Sequence, residues 1–128
     1  MKTWSRQDLN QFERADEIGI APLRPDGSLG KPVTIWMVRL GDELYLRSAY
    51  GPRAGWFRAT KRQPQGRITG GGLSKEVMFE TADPRLNDEI DVAYRSKYRR
   101  HPTTYVNMMI SHEARSTTTR VAPRPASS

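Results

Sequence analysis

The 128-residue sequence has no cysteine and only two histidines. The absence of cysteine excludes disulfide bonds and zinc–thiolate sites. No apolar run approaches the roughly 18 residues of a membrane span, and the polar start from Met1 to Arg6 lacks the apolar core of a secretory signal. We therefore expect a cytoplasmic protein that does not associate with a membrane.

Residues suited to side-chain catalysis are also scarce. His112 and Glu113 are neighbours in the chain, whereas a serine hydrolase site brings together residues from separate segments. His101 stands before Pro102 at the end of a predicted helix, which is typical of a loop or capping residue. No histidine spacing suits a metal site, so we predict no metal ligand and name no catalytic residue. If the chain is an enzyme, we expect a cofactor to carry the chemistry.

Acidic residues are missing from one long stretch of the chain. The 32 residues between Glu43 and Glu76 contain no Asp or Glu, and they hold seven of the 21 Lys and Arg residues. Since the other 14 cations equal the 14 acids, this acid-free window accounts for the whole net charge of +7. It also holds six of the ten glycines and the rings of Tyr45, Tyr50, Trp56 and Phe57. Such a composition suits an anion that carries a planar ring, either a phosphorylated cofactor or a nucleic acid.

The pattern of apolar and turn-forming residues predicts an α+β fold on an antiparallel sheet. The glycines at 70–72 precede a strand rather than a helix, so we interpret them as a hairpin turn and not as a phosphate-binding loop. Residues 106–110 are apolar and fit either a helix or a strand. The other predicted elements are a helix from Ser5 to about residue 15, strands at 17–21, 34–40, 44–48, 67–69, 75–80 and 117–121, and helices at 54–62 and 83–100.

A sheet of five or six strands leaves exposed edges unless it closes into a small barrel. Side chains fill the interior of a barrel of this size, so a ligand must bind outside it. Pairing with a second copy would add core area and form a deep cleft. We predict one domain over residues 1–122, a disordered tail over residues 123–128, and a homodimer with binding sites at its interface.

One group of residues in and near the window is suited to holding a phosphorylated ring. Guanidinium groups and a hydroxyl can bind phosphate oxygens while an indole packs on the ring. The alternative is that Trp56 is a core residue and that the cations around it face solvent. The predicted cofactor-binding residues are Arg47, Ser48, Arg53, Arg58 and Lys61, with Trp36, Tyr50 and Trp56 beside the ring.

The order of several motifs resembles the domain-of-unknown-function family 2255. The motifs are PVTIW at 32–36, GDELYLR at 41–47, WFR at 56–58, AYRSKY at 93–98 and APR at 122–124. That family is in turn similar to split β-barrel proteins that bind flavin mononucleotide (FMN) or a deazaflavin coenzyme, among them pyridoxamine-phosphate-oxidase-like proteins and deazaflavin-dependent nitroreductases.

The resemblance implies a small antiparallel split β-barrel with flanking helices and a bound FMN or deazaflavin. It further implies an oxidoreductase that reduces a small organic substrate by hydride transfer. Phe57 stands where the deazaflavin group often has Tyr, and Arg58-Ala59 replaces its polar-Asn pair. The family supplies no catalytic residue to carry over.

Two other functions stay open from the sequence. The first is a non-catalytic ligand-binding or dimerisation scaffold that has lost its cofactor. The second is a nucleic-acid-binding module in which the same cations meet phosphates and the same aromatic rings stack on bases; its affinity would fall steeply with salt. The window lacks an RNA-reading aromatic-glycine signature and its cations fall in at least three local structures, which argues against this second function.

Overall fold

The computed structural model describes residues 3–124. In this part of the chain, seven strands form one antiparallel sheet that five α-helices flank. The strands are β1 (Ile18–Pro22), β2 (Val33–Ile35), β3 (Met37–Leu40), β4 (Glu43–Leu46), β5 (Gln65–Gly70), β6 (Leu73–Thr81) and β7 (Thr119–Pro123). The helices are α1 (Arg6–Arg14), α2 (Gly55–Arg62), α3 (Asn87–Lys97), α4 (Thr103–Met109) and α5 (His112–Arg115), with 3-10 turns at Gly51–Arg53 and Pro84–Leu86.

The sheet curls into a nearly closed barrel. Its strand order is β2-β1-β5-β6-β7-β4-β3, and the two strands at the ends of this order are separated in the chain only by Trp36. The chain therefore leaves one edge of the sheet and enters the other within a single residue, which leaves a split between β2 and β3. This arrangement confirms the predicted α+β split β-barrel.

Apolar side chains fill the barrel, and α1 covers one end of it. Ser5 begins α1 because its Oγ accepts a hydrogen bond from the Asp8 N–H at 3.0 Å. Trp4 anchors the segment before the helix by donating its indole N–H to Val121 O at 2.9 Å. The buried residues of this core include Leu9, Phe12, Ile18, Ile20, Leu44, Leu46, Ile68, Val77 and Val121.

A second apolar cluster lies outside the barrel, where α3 and α4 pack on β3 and β4. It includes Val38, Tyr45, Ile90, Tyr94 and Val106. At the end of α3, the buried Tyr98 hydroxyl accepts from the Met37 N–H at 3.1 Å and lies 2.9 Å from Asp16 O. Tyr98 thus ties the end of α3 to the start of β3 and to the segment before β1.

Most predicted elements are confirmed, including α1, the helix at 55–62, the long helix before residue 100 and both hairpins. Gly71 and Gly72 form the turn between β5 and β6 with φ angles of +58° and +82°, which are conformations that glycine adopts without strain. The residues at 106–110, which the pattern left undecided, lie in and just after helix α4.

Some predicted boundaries were wrong. Trp36 interrupts the predicted strand at 34–40, because the chain crosses there between the two barrel edges. The last strand continues through Pro123, which pairs with Val77, and the Arg124 N–H donates to Glu76 O at 3.0 Å. These residues extend the sheet instead of starting the predicted tail, whose remaining residues 125–128 lie outside the described chain. Among the described helices, none has the length and apolar character needed to cross a bilayer.

Candidate ligand-binding site

A cavity of 460 Å³ opens beside the barrel split. This volume lies within the range of small-molecule sites, which is about 300–1,000 Å³. We call it the aromatic cavity because four of its lining residues are Trp36, Tyr50, Trp56 and Tyr105. The rest of its lining comes from the residue before β1, β2, the segment between β4 and α2, the loop before α4, and the end of α4: Glu17, Val33, Thr34, Ile35, Arg47, Ser48, Ala49, Ala54, His101, Met108 and Met109.

Exposed apolar side chains are concentrated at this cavity. Only four large apolar residues are exposed on the described surface, and three of them, Val33, Tyr50 and Tyr105, line the aromatic cavity. Tyr50 is 73% exposed. Because grouped apolar side chains mark contact surfaces on proteins, this face is suited to a ligand, another chain, or both.

Trp36 presents a fixed aromatic surface to the cavity. Its ring stacks on Tyr98, with centroids 4.0 Å apart and planes 4° apart, and the His101 ring lies 4.7 Å away. His101 Nε2 lies 3.0 Å from Asp16 Oδ1. The indole at the split is therefore held by two rings from the end of α3 and the loop after it.

Ser48 places an unpartnered hydroxyl at this cavity. Its backbone N–H donates to Thr117 Oγ1 at 2.8 Å, and the residue is 1% exposed. Its Oγ is the only buried side-chain polar atom within residues 3–124 that has no hydrogen-bond partner. An unsatisfied buried polar group costs roughly 1–3 kcal/mol. A ligand atom in the cavity would remove that cost.

Arg47 lies next to Ser48, but its hydrogen-bonding capacity is already used. Its Nε donates to Thr118 Oγ1 at 2.9 Å, and its Nη1 donates to Asp91 Oδ1 at 2.5 Å and to Met109 O at 3.0 Å. Its Nη2 donates to the backbone and side-chain oxygens of Asn87, at 3.0 and 3.2 Å. A guanidinium has five N–H donors, and none is left for a phosphate. Arg47 therefore connects β4 to the helices, which corrects its predicted role in phosphate binding.

The other predicted site residues divide into two groups. Trp36, Ser48, Tyr50 and Trp56 share the aromatic cavity. Trp56 also packs, partly buried, against the barrel core, and its role beside a ligand ring stays a prediction. The predicted cofactor-binding cations Arg53, Arg58 and Lys61 do not line the cavity.

Lys61 points to a different surface. Its Nζ donates to Thr81 Oγ1 at 2.8 Å and lies 5.1 Å from the centre of the Phe57 ring. Arg53 and Arg58 are exposed to solvent. The expectation that the cations of the window surround one pocket is not met by these three, since none of them lines the aromatic cavity.

Cations of the window beyond α2 belong to the barrel surface. Arg67 pairs with Glu76 on the adjacent strand at 2.6 Å, and Lys75 pairs with Asp8 of α1 at 3.3 Å. The window contains no acid, but acids from outside it neutralise these cations in the folded chain. The window therefore does not form one continuous basic surface.

A second cavity, which the sequence analysis missed, adjoins the first. Its volume is 520 Å³, and Val33 and Trp56 line both cavities. We call it the basic cleft because Arg24, Lys31 and Arg62 line it and no acid does. Arg24 and Lys31 lie outside the acid-free window, so the local charge pattern gave no signal for them. Tyr105 and His101 were missed for a similar reason, since only the fold brings α4 and its preceding loop beside Trp36.

The sequence profile of a family described as "Uncharacterized protein conserved in bacteria (DUF2255)" matches residues 8–121. No curated protein sequence matches the chain. Solved structures share its fold at low sequence identity.

One similar structure is a Listeria innocua protein described as "Putative Pyridoxamine 5'-phosphate oxidase", with 12% identity, a TM-score of 0.60 and coverage of 94% of this chain and 92% of that one. A second is described as "F420 Reductase", with 16% identity, a TM-score of 0.56 and 92% coverage of both chains. A third is the FAD and heme binding protein from Mycobacterium smegmatis, with 16% identity, a TM-score of 0.55 and coverage of 95% of this chain and 67% of that one. At these identities the similarity shows the fold, which is that of split-barrel proteins.

Proposed function

This chain belongs to the DUF2255 family, and we propose that it binds a flavin or deazaflavin cofactor whose ring lies in the aromatic cavity. The observation that carries the proposal is the buried, unpartnered Ser48 hydroxyl at a cavity bordered by aromatic rings. Similarity to an F420 reductase and to an FAD and heme binding protein supports the same class of ligand.

The residues of the cavity fit such a ring. Trp36 and Trp56 supply flat apolar surfaces, and aromatic stacking adds about 0.5–1.5 kcal/mol beyond the area buried. The edge of a flavin ring carries both hydrogen-bond donors and acceptors. A serine hydroxyl can donate to or accept from such an edge, so Ser48 matches either orientation of the ring.

We extend the proposal to an oxidoreductase that acts on a small organic substrate. A bound flavin or deazaflavin would supply hydride transfer, since the cofactor carries the difficult chemistry in such enzymes. The chain's own residues would bind and orient the ring. Trp36 is suited to orienting it because Tyr98 holds the indole in place by stacking at 4.0 Å.

We also propose that the chain acts as a homodimer. Val33, Tyr50 and Tyr105 stay exposed around the cavity in the single chain, and a second copy would cover them. The same exposed residues favour the competing function, a dimerisation scaffold without a cofactor. A binding measurement on the intact dimer separates the two functions.

The test is a titration of the purified chain with FMN and, separately, with a deazaflavin, followed by quenching of ligand fluorescence. We expect saturable binding, and we expect Ser48→Ala to weaken it about tenfold through the loss of one hydrogen bond. Ser74→Ala is the matched control, because Ser74 is exposed on β6 and does not line the aromatic cavity.

Light scattering on the same samples reports the oligomeric state. A dimer that binds neither compound at tens of micromolar would contradict the cofactor proposal and support the scaffold. A monomer would contradict the proposed homodimer.

A further inference from the structure

The basic cleft differs from the other large charged cavity of the molecule in its balance of charge. No acidic residue lines the cleft with its three cations. By contrast, the cavity of 610 Å³ next to α1 and α3 has Glu13 and Asp16 among its arginines. Within the described chain, Arg24, Lys31 and Arg62 make no ion pair and no side-chain hydrogen bond. Their donors are therefore available to a ligand.

The nearest acid along the chain is engaged in its own turn. Asp26 Oδ1 accepts from the Ser28 N–H at 2.9 Å and from the Ser28 hydroxyl at 2.7 Å. These hydrogen bonds, the side-chain one most, hold the pKa of Asp26 below its usual value. Although Arg24 lies near enough to contribute to that effect, it forms no ion pair with Asp26.

The backbone holds the cleft in shape on both sides. On one side, the segment from Pro22 to Gly30 is closed by a bridge between Leu23 and Leu29, and the Gly30 N–H donates to Pro22 O at 2.9 Å. On the other side, Trp56, Ala59 and Arg62 follow one another at helical spacing along the face of α2 that lines the cleft. Arg24 thus lies in a hairpin-like segment, Arg62 lies in a helix, and Lys31 lies in the short connection between that segment and β2.

The start of α2 lies where the cleft meets the aromatic cavity. Its N-cap residue, Ala54, lines the aromatic cavity, and the next residue, Gly55, lines the cleft. Ala54 has no side chain that could accept a hydrogen bond from the first turn. The exposed amides of an uncapped helix start favour a nearby negative charge. The unpartnered Ser48 hydroxyl lines the adjoining cavity and gives independent evidence of a ligand there.

We propose that the basic cleft binds the phosphate-bearing tail of the ligand whose ring lies in the aromatic cavity. This inference rests on the proposed function and narrows its ligand class to phosphorylated flavins or deazaflavins, against the neutral riboflavin. It also moves the phosphate contacts from the predicted Arg47, Arg53 and Lys61 to Arg24, Lys31 and Arg62. Hydrogen bonds between these cations and a phosphate would favour the phosphorylated ligand, so a preference of at least tenfold is expected.

The first experiment compares FMN with riboflavin, since the two share a ring and differ by the phosphate. Affinities are measured by fluorescence quenching at low salt for the natural chain and for the triple variant Arg24→Gln/Lys31→Gln/Arg62→Gln. The natural chain should prefer FMN at least tenfold, and the triple variant should bind both ligands equally. The preference should shrink at high salt, because exposed charges are screened.

The matched control carries Arg53→Gln and Arg58→Gln. Both residues are exposed and lie in or next to α2, but they line neither cavity. The control should keep the preference for FMN. Equal binding of the two ligands by the natural chain would overturn the inference and leave the ring site standing. Loss of the preference in the control would overturn it as well, because net charge would then explain the effect.

The second experiment uses a phosphate ligand that has no ring. Inorganic pyrophosphate is titrated into the labelled chain, and the backbone amide signals of Arg24, Lys31 and Gly55 are followed by NMR. Saturable shifts at these amides, absent in the triple variant, are expected. Without them the inference fails, whatever the flavins do. Shifts together with no binding of FMN or riboflavin would support the cleft as an anion site and contradict the proposed function.

Discussion

Arg47 and Ser48 are adjacent in the chain and almost fully buried, and both line the aromatic cavity, yet their surroundings differ completely. The guanidinium of Arg47 donates every N–H to oxygens of the protein, whereas the Ser48 hydroxyl has no partner among the described residues. Arg47 and its oxygen partners form a hydrogen-bond network in which every donor of the guanidinium is used, and we call it the closed network. The Ser48 hydroxyl, by contrast, is an unsatisfied polar group. A charged residue that a sequence suggests for ligand binding, such as Arg47, can therefore stabilise the fold instead. Its small neutral neighbour, Ser48, keeps a hydroxyl that a ligand could use.

The largest expected effect comes from breaking the closed network. Arg47→Met leaves Asp91 and the surrounding oxygens buried without their principal donor. Removing one partner of a buried pair costs about 3–5 kcal/mol. We therefore expect the free energy of unfolding to fall by that amount, measured by urea denaturation.

The double variant Arg47→Met/Asp91→Leu provides the comparison, because it removes both charges together. It should recover much of the lost stability. If the single variant lost less than about 1 kcal/mol, the closed network would not be the stabilising element described here.

Lys97, a partly buried cation, sharpens the comparison because its hydrogen-bond partners are neutral carbonyl groups. Lys97 Nζ donates to Met37 O at 2.6 Å and lies 3.4 Å from Phe12 O, and burial lowers the pKa of Lys97 to about 8 from 10.5. Since the unfolded chain binds the proton more tightly, the free energy of unfolding should rise with pH between about 8 and 10.5. The contribution of Lys97 is roughly 3 kcal/mol.

Lys97→Met isolates the pH-dependent contribution of Lys97 to the free energy of unfolding, because it removes the titrating group and keeps the apolar stem. Unfolding by urea is measured for both chains at several pH values in this range, and the difference between them should grow with pH in favour of the natural chain. Tyr98, whose burial raises its pKa, is common to both chains and cancels in the difference. A difference independent of pH would show that Lys97 keeps its ordinary pKa.

The smallest expected effect on stability comes from removing the unpartnered Ser48 hydroxyl. Ser48→Ala removes a buried hydroxyl that has no partner, so the free energy of unfolding should stay the same or rise by up to about 1 kcal/mol. Thermal or urea denaturation of the ligand-free chain measures the change. A loss of more than 1 kcal/mol would mean that the hydroxyl already has a partner and would erase the contrast with Arg47.

Much of the fold could be predicted because its signals are local. Ser5 begins a helix by capping it, and the glycines at 71 and 72 permit a tight turn between strands. The break at Trp36 had no such signal, because residues 34–40 are rich in apolar and β-branched side chains, as in one continuous strand. The reason for the break is the closure of the barrel, which depends on all seven strands.

The site was predictable only in its aromatic part. Trp36, Tyr50, Trp56 and Ser48 were named from the sequence and share one cavity. The predicted cations were mostly misplaced, because sequence position does not tell which way a long side chain points or which acid lies across from it. Arg47, for example, contacts Asp91 from a segment 44 residues away.

The sequence by itself determined the helices and the hairpins, since these depend on neighbours within a few residues. It also determined that residues 44–75 carry an excess of cations together with aromatic rings. Only the tertiary structure decided which cations are neutralised and which stay available. Arg24 of one segment and Arg62 of another line the same cleft, whereas Arg47 is enclosed by α3, α4 and the residues just before β7. The physical reason is that electrostatic and hydrogen-bond partners are set by distance in space, which the closure of the barrel fixes.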